Sequence, residues 1–299
     1  MKQSLLEAIV DRPLIGDGAM GTQLQLAGLE SGGCGEVWNL EHPDRVLAVH
    51  KKYVDAGSDC LITNTFGASR IMLDRHASDM DVIGINRGAI RIAREAFGDR
   101  PGFVIGDIGP FGGLMEPYGE FSRDQVYDAY LEQAKALVGA EVDAIIIETQ
   151  TVLDEVGVGV EAARDAGCPC VIASMAFDLT QETCEVRTMM GTTPEQAAAF
   201  IVEKQADIIA LNCGAGVDMK HAADVVKRYR AHCDLPIMAQ PNAGIPVLEN
   251  MKVVYKQTPE EMAADAPAIL DAGASIIGGC CGSTPDHISR LRELLVNRV

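Results

Sequence analysis

The sequence predicts an α/β fold, a (β/α)8 TIM-type barrel spanning residues 1–299 as a single domain. Three observations carry this expectation. A short β-branched apolar run, a Gly-rich or polar exit and an amphipathic helical stretch follow one another eight times, and strands alternating with helices call for a parallel sheet. The runs are continuously apolar, as befits strands buried on both faces. No Ser/Gly linker, charge block or low-complexity tract divides the chain, and a barrel of roughly 250 residues is ordinary for one domain.

The predicted strands are, in order, Leu14-Ile15, Cys60 to Ile62, Phe103 to Ile105, Ala144 to Ile147, Val171 to Ala173, Ile208 to Leu211, Pro236 to Met238 and Ser275 to Ile277. Helix starts fix the register between them. Thr193-Pro194-Glu195-Gln196 and Thr258-Pro259-Glu260-Glu261 each offer a Thr cap, a Pro in the first helical position and an acid or amide that reaches back to the cap. Thr284-Pro285 repeats the first two features. Val46, Val49, His50 and Tyr53 share one helical face, as do Val126, Tyr130, Ala134 and Leu137. The long segments 19–42 and 108–121 are the expected walls or lids of the barrel mouth.

Composition narrows the function. The chain has 299 residues, 47% hydrophobic and 23% charged, with a net charge of −18. That acidity excludes nucleic acid, whose phosphates demand clustered Lys and Arg, and disfavours anionic membrane surfaces. No apolar run approaches the ~18 residues of a membrane span, and Met1-Lys2-Gln3-Ser4 does not open a signal peptide. A cytoplasmic location is expected. Nine cysteines, an odd number without a secretory signal, do not read as a disulfide framework.

In a barrel the active site lies at the C-terminal ends of the strands. The exits here are Asp17-Gly18-Ala19-Met20-Gly21-Thr22, Thr63-Asn64-Thr65-Phe66-Gly67, Asp107-Ile108-Gly109-Pro110 and Glu148-Thr149-Gln150 from the first four strands. The last four give Ser174 to Asp178, Asn212-Cys213-Gly214, Gln240-Pro241-Asn242-Ala243-Gly244 and Gly278-Gly279-Cys280-Cys281-Gly282. Adjacent residues on a strand point to opposite faces, so only a glycine-flanked, unwound exit lets Cys280 and Cys281 face one point. Should Cys213 meet them, three thiolates form the ligand set of a catalytic zinc with one open position. Cys34, Cys60, Cys168, Cys170, Cys184 and Cys233 read as small buried hydrophobes. Glu148, after four apolar residues, is either paired with a barrel cation or held out for a ligand's ammonium group, and the second is favoured. Asn242 is either a turn residue or an amide oxygen filling the fourth metal position when substrate is absent.

These residues resemble the zinc-dependent homocysteine S-methyltransferases. The likeness rests on Asp17 to Thr22, the Glu148 exit, Asn212-Cys213 and Gly278 to Gly282 followed by Ser283-Thr284-Pro285, and runs from about residue 10 to the C-terminus. Arg187 to Gly191, Pro241 to Pro246 and Ser283 to Ile288 are similar to the homocysteine-binding module of cobalamin-dependent methionine synthase. The betaine-using branch differs, placing an aromatic residue where this chain has Thr149, although Trp38 could wall a donor site.

The resemblance implies Zn²⁺ on Cys213, Cys280 and Cys281, Glu148 on the amino group of L-homocysteine, the amides around Gly18, Ala19 and Met20 on its carboxylate, and Asp17 among the substrate-binding residues. It implies methyl transfer giving L-methionine. No Asp-x-His-x-x-Gly cobalamin loop occurs in these residues, so the expected donor is a methylated corrinoid (cobalamin) on a separate protein partner. The alternatives are S-methylmethionine or betaine as donor, a non-catalytic homocysteine- or zinc-binding subunit, and a barrel enzyme that cradles a phosphate at Gly278-Gly279.

Overall fold

The strand β1 (Leu14–Ile15) begins a parallel sheet continued by β2 (Cys60–Ile62), β3 (Phe103–Ile108), β4 (Ala144–Gln150) and β5 (Val171–Met175). Two short strands, β6 (Asp178–Leu179) and β7 (Val186–Arg187), intervene before β8 (Ile208–Asn212) and β9 (Ile237–Gln240). The hairpin β10 (Val247–Glu249) and β11 (Lys252–Val254) then precedes β12 (Ile276–Ile277). This computed structural model describes residues 3–296 apart from 31, 78, 181–184, 250 and 251. The eight barrel strands run β1-β12-β9-β8-β5-β4-β3-β2, every neighbouring pair parallel. They are the eight that the sequence predicts, with several extended by two or three residues at their C-terminal ends.

Between β1 and β2 the seam is closed by residues just before β2. The Asp59 amide donates to Ile15 O at 2.7 Å, and its carboxylate accepts from the Ile15 amide at 2.9 Å. The same carboxylate holds Arg12 at 2.7 Å and Arg292 at 3.1 Å. One acid thus ties both chain ends to the seam.

Side-chain alternation sorts the strands into an inner and an outer layer. Leu14, Cys60, Phe103, Ile105, Ala144 and Ile146 pack inside the barrel with Ile172, Ile208, Ala210, Met238 and Ile276. Their alternates, among them Ile15, Leu61, Val104, Ile145 and Ile209, pack outward against the helices. The short helix α1 (Leu5–Asp11) plugs the barrel floor with Leu5, Ala8 and Ile9. Each such fully buried Leu or Ile contributes about 1.5–3 kcal/mol relative to exposure. Continued upward with the same parity, the inner layer turns polar at Asp107, Glu148, Ser174, Asn212 and Gln240. The floor and the reactive layer are one pattern read at two heights.

Outside lie α2 (Met20–Leu26), α3 (Trp38–Glu41), α4 (Pro43–Asp55), α5 (Arg70–Leu73), α6 (Val82–Phe97) and α7 (Arg123–Val138). They are followed by α8 (Leu153–Asp165), α9 (Pro194–Glu203), α10 (Met219–Arg230), α11 (Pro259–Asp271) and α12 (Pro285–Val296). The predicted apolar faces of α4 and α7 are buried. Thr193 with Gln196 and Thr258 with Glu261 form full capping boxes. At α12 the imidazole of His287 takes the acid's place: its Nδ1 accepts from the Thr284 amide at 3.2 Å, while Nε2 faces Gln257 O at 2.9 Å. Within residues 29–41, for which the sequence offers no assignment, residues 29, 30 and 32–37 run irregularly into α3.

On the outer surface, Arg228 grips Glu195 through two hydrogen bonds, one of 2.8 Å, and these hold the carboxyl down at about 2. A depressed carboxyl stabilises the fold above its unfolded value of 4.5, and this contribution fades as pH falls from about 4.5 to 2. The pair is about one-third exposed, so Arg228→Met should cost about 1 kcal/mol or less at pH 7. Thermal melts should show a loss of about 2 °C at pH 7 that vanishes near pH 2.

Candidate metal centre and substrate cavity

β8 delivers Cys213 on a backbone that turns sharply. Cys213 lies at φ 57° and Gly214 at φ 88°, both left-handed. A β-carbon on Gly214 would meet Phe177 O at 1.8 Å, so that position has no room for a side chain. From β12 the chain unwinds through Gly278 and Gly279 into Cys280 and Cys281. The Cys280 amide donates to Pro241 O at 2.9 Å and the Ala243 amide to Cys281 O at 3.0 Å, which locks this exit to the exit of β9.

The three sulfurs converge. Their Sγ atoms all lie within 4.8 Å of one another, with Cys213–Cys281 at 3.9 Å and Cys280–Cys281 at 4.0 Å. Zn–S bonds of ~2.3 Å in a tetrahedron require S···S edges of about 3.8 Å, so these residues fit a divalent metal with little rearrangement. Hydrogen bonds from Cys213 and Cys280, together with one from Tyr255, hold the Cys281 thiol below its ordinary range. Cys280 is pushed up by the same sulfur contacts.

Asn212 braces the centre from below. Its Oδ1 accepts from the Thr149 amide at 3.0 Å and from Ser174 Oγ at 2.6 Å; its Nδ2 donates to Thr149 Oγ1 at 2.7 Å and points at Cys280 Sγ, 3.8 Å away. One buried amide therefore links β4, β5 and β8 to a candidate ligand. Ser283 accepts from the Ala19 amide at 3.1 Å and donates to Cys280 O at 2.6 Å.

The sulfurs form one wall of a cavity of about 410 Å³. Asp17, Gly18, Ala19, Met20 and Glu148, all expected at the substrate, line it. So do Glu36, Asp107 and Gln240. Burial, followed by the neighbouring Cys213, pushes the Glu148 carboxyl up to about 7. Asp17 is also raised, by burial first, although its Oδ2 accepts from the Ile62 amide at 2.8 Å. Among the described residues the lining carries four carboxylates and no Lys, Arg or His, so its electrostatics suit a cationic group and oppose a phosphate. Of the three expected amides, that of Ala19 is already engaged by Ser283. Asn242 is buried outside the cavity lining, with Nδ2 on Gly214 O at 3.0 Å and Oδ1 without a partner.

Several sequence expectations change. Segment 19–42 does wall the cavity, through Met20, Leu24, Leu29 and Glu36, but 108–121 does not line it. Trp38 packs in the core with Arg45 over its ring at 4.9 Å and does not line this cavity. Cys60, Cys168 and Cys170 are buried as expected, whereas Cys34 and Cys233 are half-buried; Cys34 Sγ donates to Glu36 at 3.3 Å. Cys184 lies outside the described residues. The sequence reading missed Tyr255, and it named Ser283 only within a motif, without the contacts it makes. Tyr255 rides on the loop after β9 and packs against the bare Cα of Gly282.

A barrel that gathers three cysteines over a carboxylate-lined cavity has a match among known proteins. Residues 14–295 match the family model for homocysteine S-methyltransferase, and the chain belongs to that family. It is 33% identical over 299 residues to methionine synthase from Mycobacterium leprae, and 32% identical over 308 residues to methionine synthase from Mycobacterium tuberculosis. The alignments cover 95% and 98% of this chain, which spans about a quarter of the length of those relatives, 24% and 25%. The homocysteine methyltransferase MmuM from Escherichia coli shares the fold. Its metallated form superposes with a TM-score of 0.77 at 21% identity, covering 96% of this chain and 99% of that one. Among the described residues no helix is long and apolar enough to cross a membrane.

Proposed function

We propose that the protein transfers a methyl group from an activated donor to L-homocysteine, giving L-methionine, with zinc held by Cys213, Cys280 and Cys281. The observation that carries this reading is the convergence of three sulfurs, two pairs 3.9 and 4.0 Å apart, on the wall of a cavity rich in carboxylates. A free thiol is only a few per cent thiolate at neutral pH, and a zinc ion bound there supplies the charge that keeps an incoming thiol deprotonated and nucleophilic. The sulfur then forms the new S–CH₃ bond as the donor's bond to that methyl breaks, the electron pair leaving with the donor.

The chain's own residues do the placing. Glu148 holds the substrate ammonium group, and the amides of Gly18 and Met20 are left for its carboxylate. Asp17 is pinned to Ile62 by one oxygen and presents the other side of its carboxylate to the substrate. Asn242, with its oxygen unpartnered beside Gly214, is the candidate to fill the fourth metal position when substrate is absent. The rim favours a bulky donor: Met189, Met190, Ile245, Leu248, Leu114 and Tyr118 stand exposed on loops that follow barrel strands. Such an apolar rim suits a corrinoid carried on a separate protein.

The test is a donor panel with zinc-loaded protein and homocysteine: a methylated corrinoid protein, methylcobalamin, S-methylmethionine, S-adenosylmethionine and betaine. Methionine from the corrinoid donors is the expected result; none from any donor overturns the reading. Glu148→Ala should raise KM for homocysteine between about tenfold and a hundredfold, the worth of a charge-assisted hydrogen bond, with a smaller change in kcat. An unchanged KM would remove Glu148 from the ammonium site.

A further inference from the structure

Thr149 adopts a backbone conformation that threonine avoids. Its φ of 57° is left-handed, and among the described non-glycine residues with positive φ it is the one that is β-branched, which makes it a steric outlier. The cause is a bulge in β4. Ile147 pairs with Ala173 and Gln150 with Met175, so three steps on β4 match two on β5. One residue too many on a strand interrupts the alternation of faces. Glu148 and Thr149, neighbours in sequence, therefore both line the cavity. Such a conformation persists only where its surroundings over-determine it.

Asn212, itself buried, supplies that constraint. Its carboxamide clamps Thr149 at two points: Oδ1 accepts from the Thr149 amide at 3.0 Å, and Nδ2 donates to Thr149 Oγ1 at 2.7 Å. A backbone amide only donates, so the oxygen must face it, and the chain itself fixes which way the side chain points. The remaining capacity goes to Ser174 Oγ, 2.6 Å from Oδ1, and to Cys280 Sγ, 3.8 Å from Nδ2. The carboxamide is thus fully used. One N–H reaches the bulge and the other a candidate metal ligand.

We propose that Asn212 is a positioning residue that sets the Cys280 sulfur and the β4 bulge together, so that metal binding tightens the cavity wall at Thr149. The inference rests on the zinc reading above. A sulfur ligated to zinc is a charged acceptor, and a hydrogen bond to it is stronger than one to a free thiol. The carboxamide is one rigid plane, so an anchor on Nδ2 also holds Oδ1, and opening the Thr149 clamp then requires breaking both. Aspartate at this position would keep an acceptor for the Thr149 amide, lose both N–H donors and set a second negative charge beside the sulfur.

The experiment needs no substrate. Hydrogen exchange at the Thr149 amide is compared with and without zinc in wild type, Asn212→Asp and Asn212→Ala, against barrel-floor amides that report any general stabilisation. Zinc affinity is measured alongside by competition with a chromophoric chelator. In wild type zinc should slow the Thr149 amide about tenfold, the difference between a charge-assisted and a neutral hydrogen bond. In Asn212→Asp that amide should exchange equally with and without zinc, and zinc affinity should fall about ten- to a hundredfold. Asn212→Ala should lose the clamp and exchange quickly in both states. Exchange at Thr149 that zinc leaves unaltered in wild type, or a zinc affinity unchanged in Asn212→Asp, overturns the proposal. The wild-type comparison decides even where a variant fails to fold. Wild type that binds no zinc would instead overturn the metal reading, and this assignment with it.

Discussion

Cys280→Ser should strip the protein of zinc and abolish methyl transfer while the barrel stays folded. Serine matches the shape of cysteine but offers a hydroxyl, which does not ionise at neutral pH and ligates zinc poorly. Two of three sulfurs then remain, and Asn212 Nδ2 loses the sulfur it faces at 3.8 Å. Zinc content should drop from about one ion per chain to near zero after dialysis, and kcat/KM by about a thousandfold or more. Cys280 lies at the open end of the barrel, away from the packed floor, so circular dichroism and thermal melting of the metal-free forms should nearly coincide. A Cys280→Ser protein that retains full zinc and full rate would refute the ligand assignment.

Gly214→Ala should be the more damaging change despite adding one methyl group. The new β-carbon would lie 1.8 Å from Phe177 O, a backbone atom that cannot swing aside, on a residue whose φ of 88° already disfavours a side chain. Overpacking of about 1–3 kcal/mol and a left-handed penalty of about 1–2 kcal/mol combine to lower the melting temperature by on the order of 10 °C. The turn that aims Cys213 must also shift, so zinc affinity should fall with stability. Cys213→Ser supplies the contrast: it should lose the metal but keep the melting temperature of metal-free wild type. A Gly214→Ala protein that melts like wild type would show that the turn has slack the structure does not display.

The barrel was legible because its strands are short, β-branched and continuously apolar, and because Thr-Pro starts punctuate the helices. Cys280 and Cys281 stood out through their flanking glycines, which only an unwound exit explains. Cys213 followed from its place at the end of a similar run. The two hairpins were not legible. Asp178-Leu179 with Val186-Arg187, and Val247 to Glu249 with Lys252 to Val254, pair only with each other over two or three residues, too short for alternation to register.

Asp107 and Gln240 appeared among the strand exits, but nothing in their spelling separated a ligand-facing side chain from a turn residue. Extending the inward parity of each strand by one more step would have placed both in the cavity. Ser283 and Tyr255 act through contacts between distant segments. Ser283 meets Ala19 across 264 positions of chain, a relation that no local pattern carries.

The layering of the barrel has a consequence for how such a catalyst can diversify. Glu148, which the proposed function gives to the acceptor, stands on a stave itself, where inserting one residue would turn every side chain beyond it to the wrong side. The apolar rim stands on connections that tolerate insertion and exchange. On the proposed reading, new methyl sources can therefore be recruited by rewriting the brim of the vessel while the acceptor's seat is inherited intact.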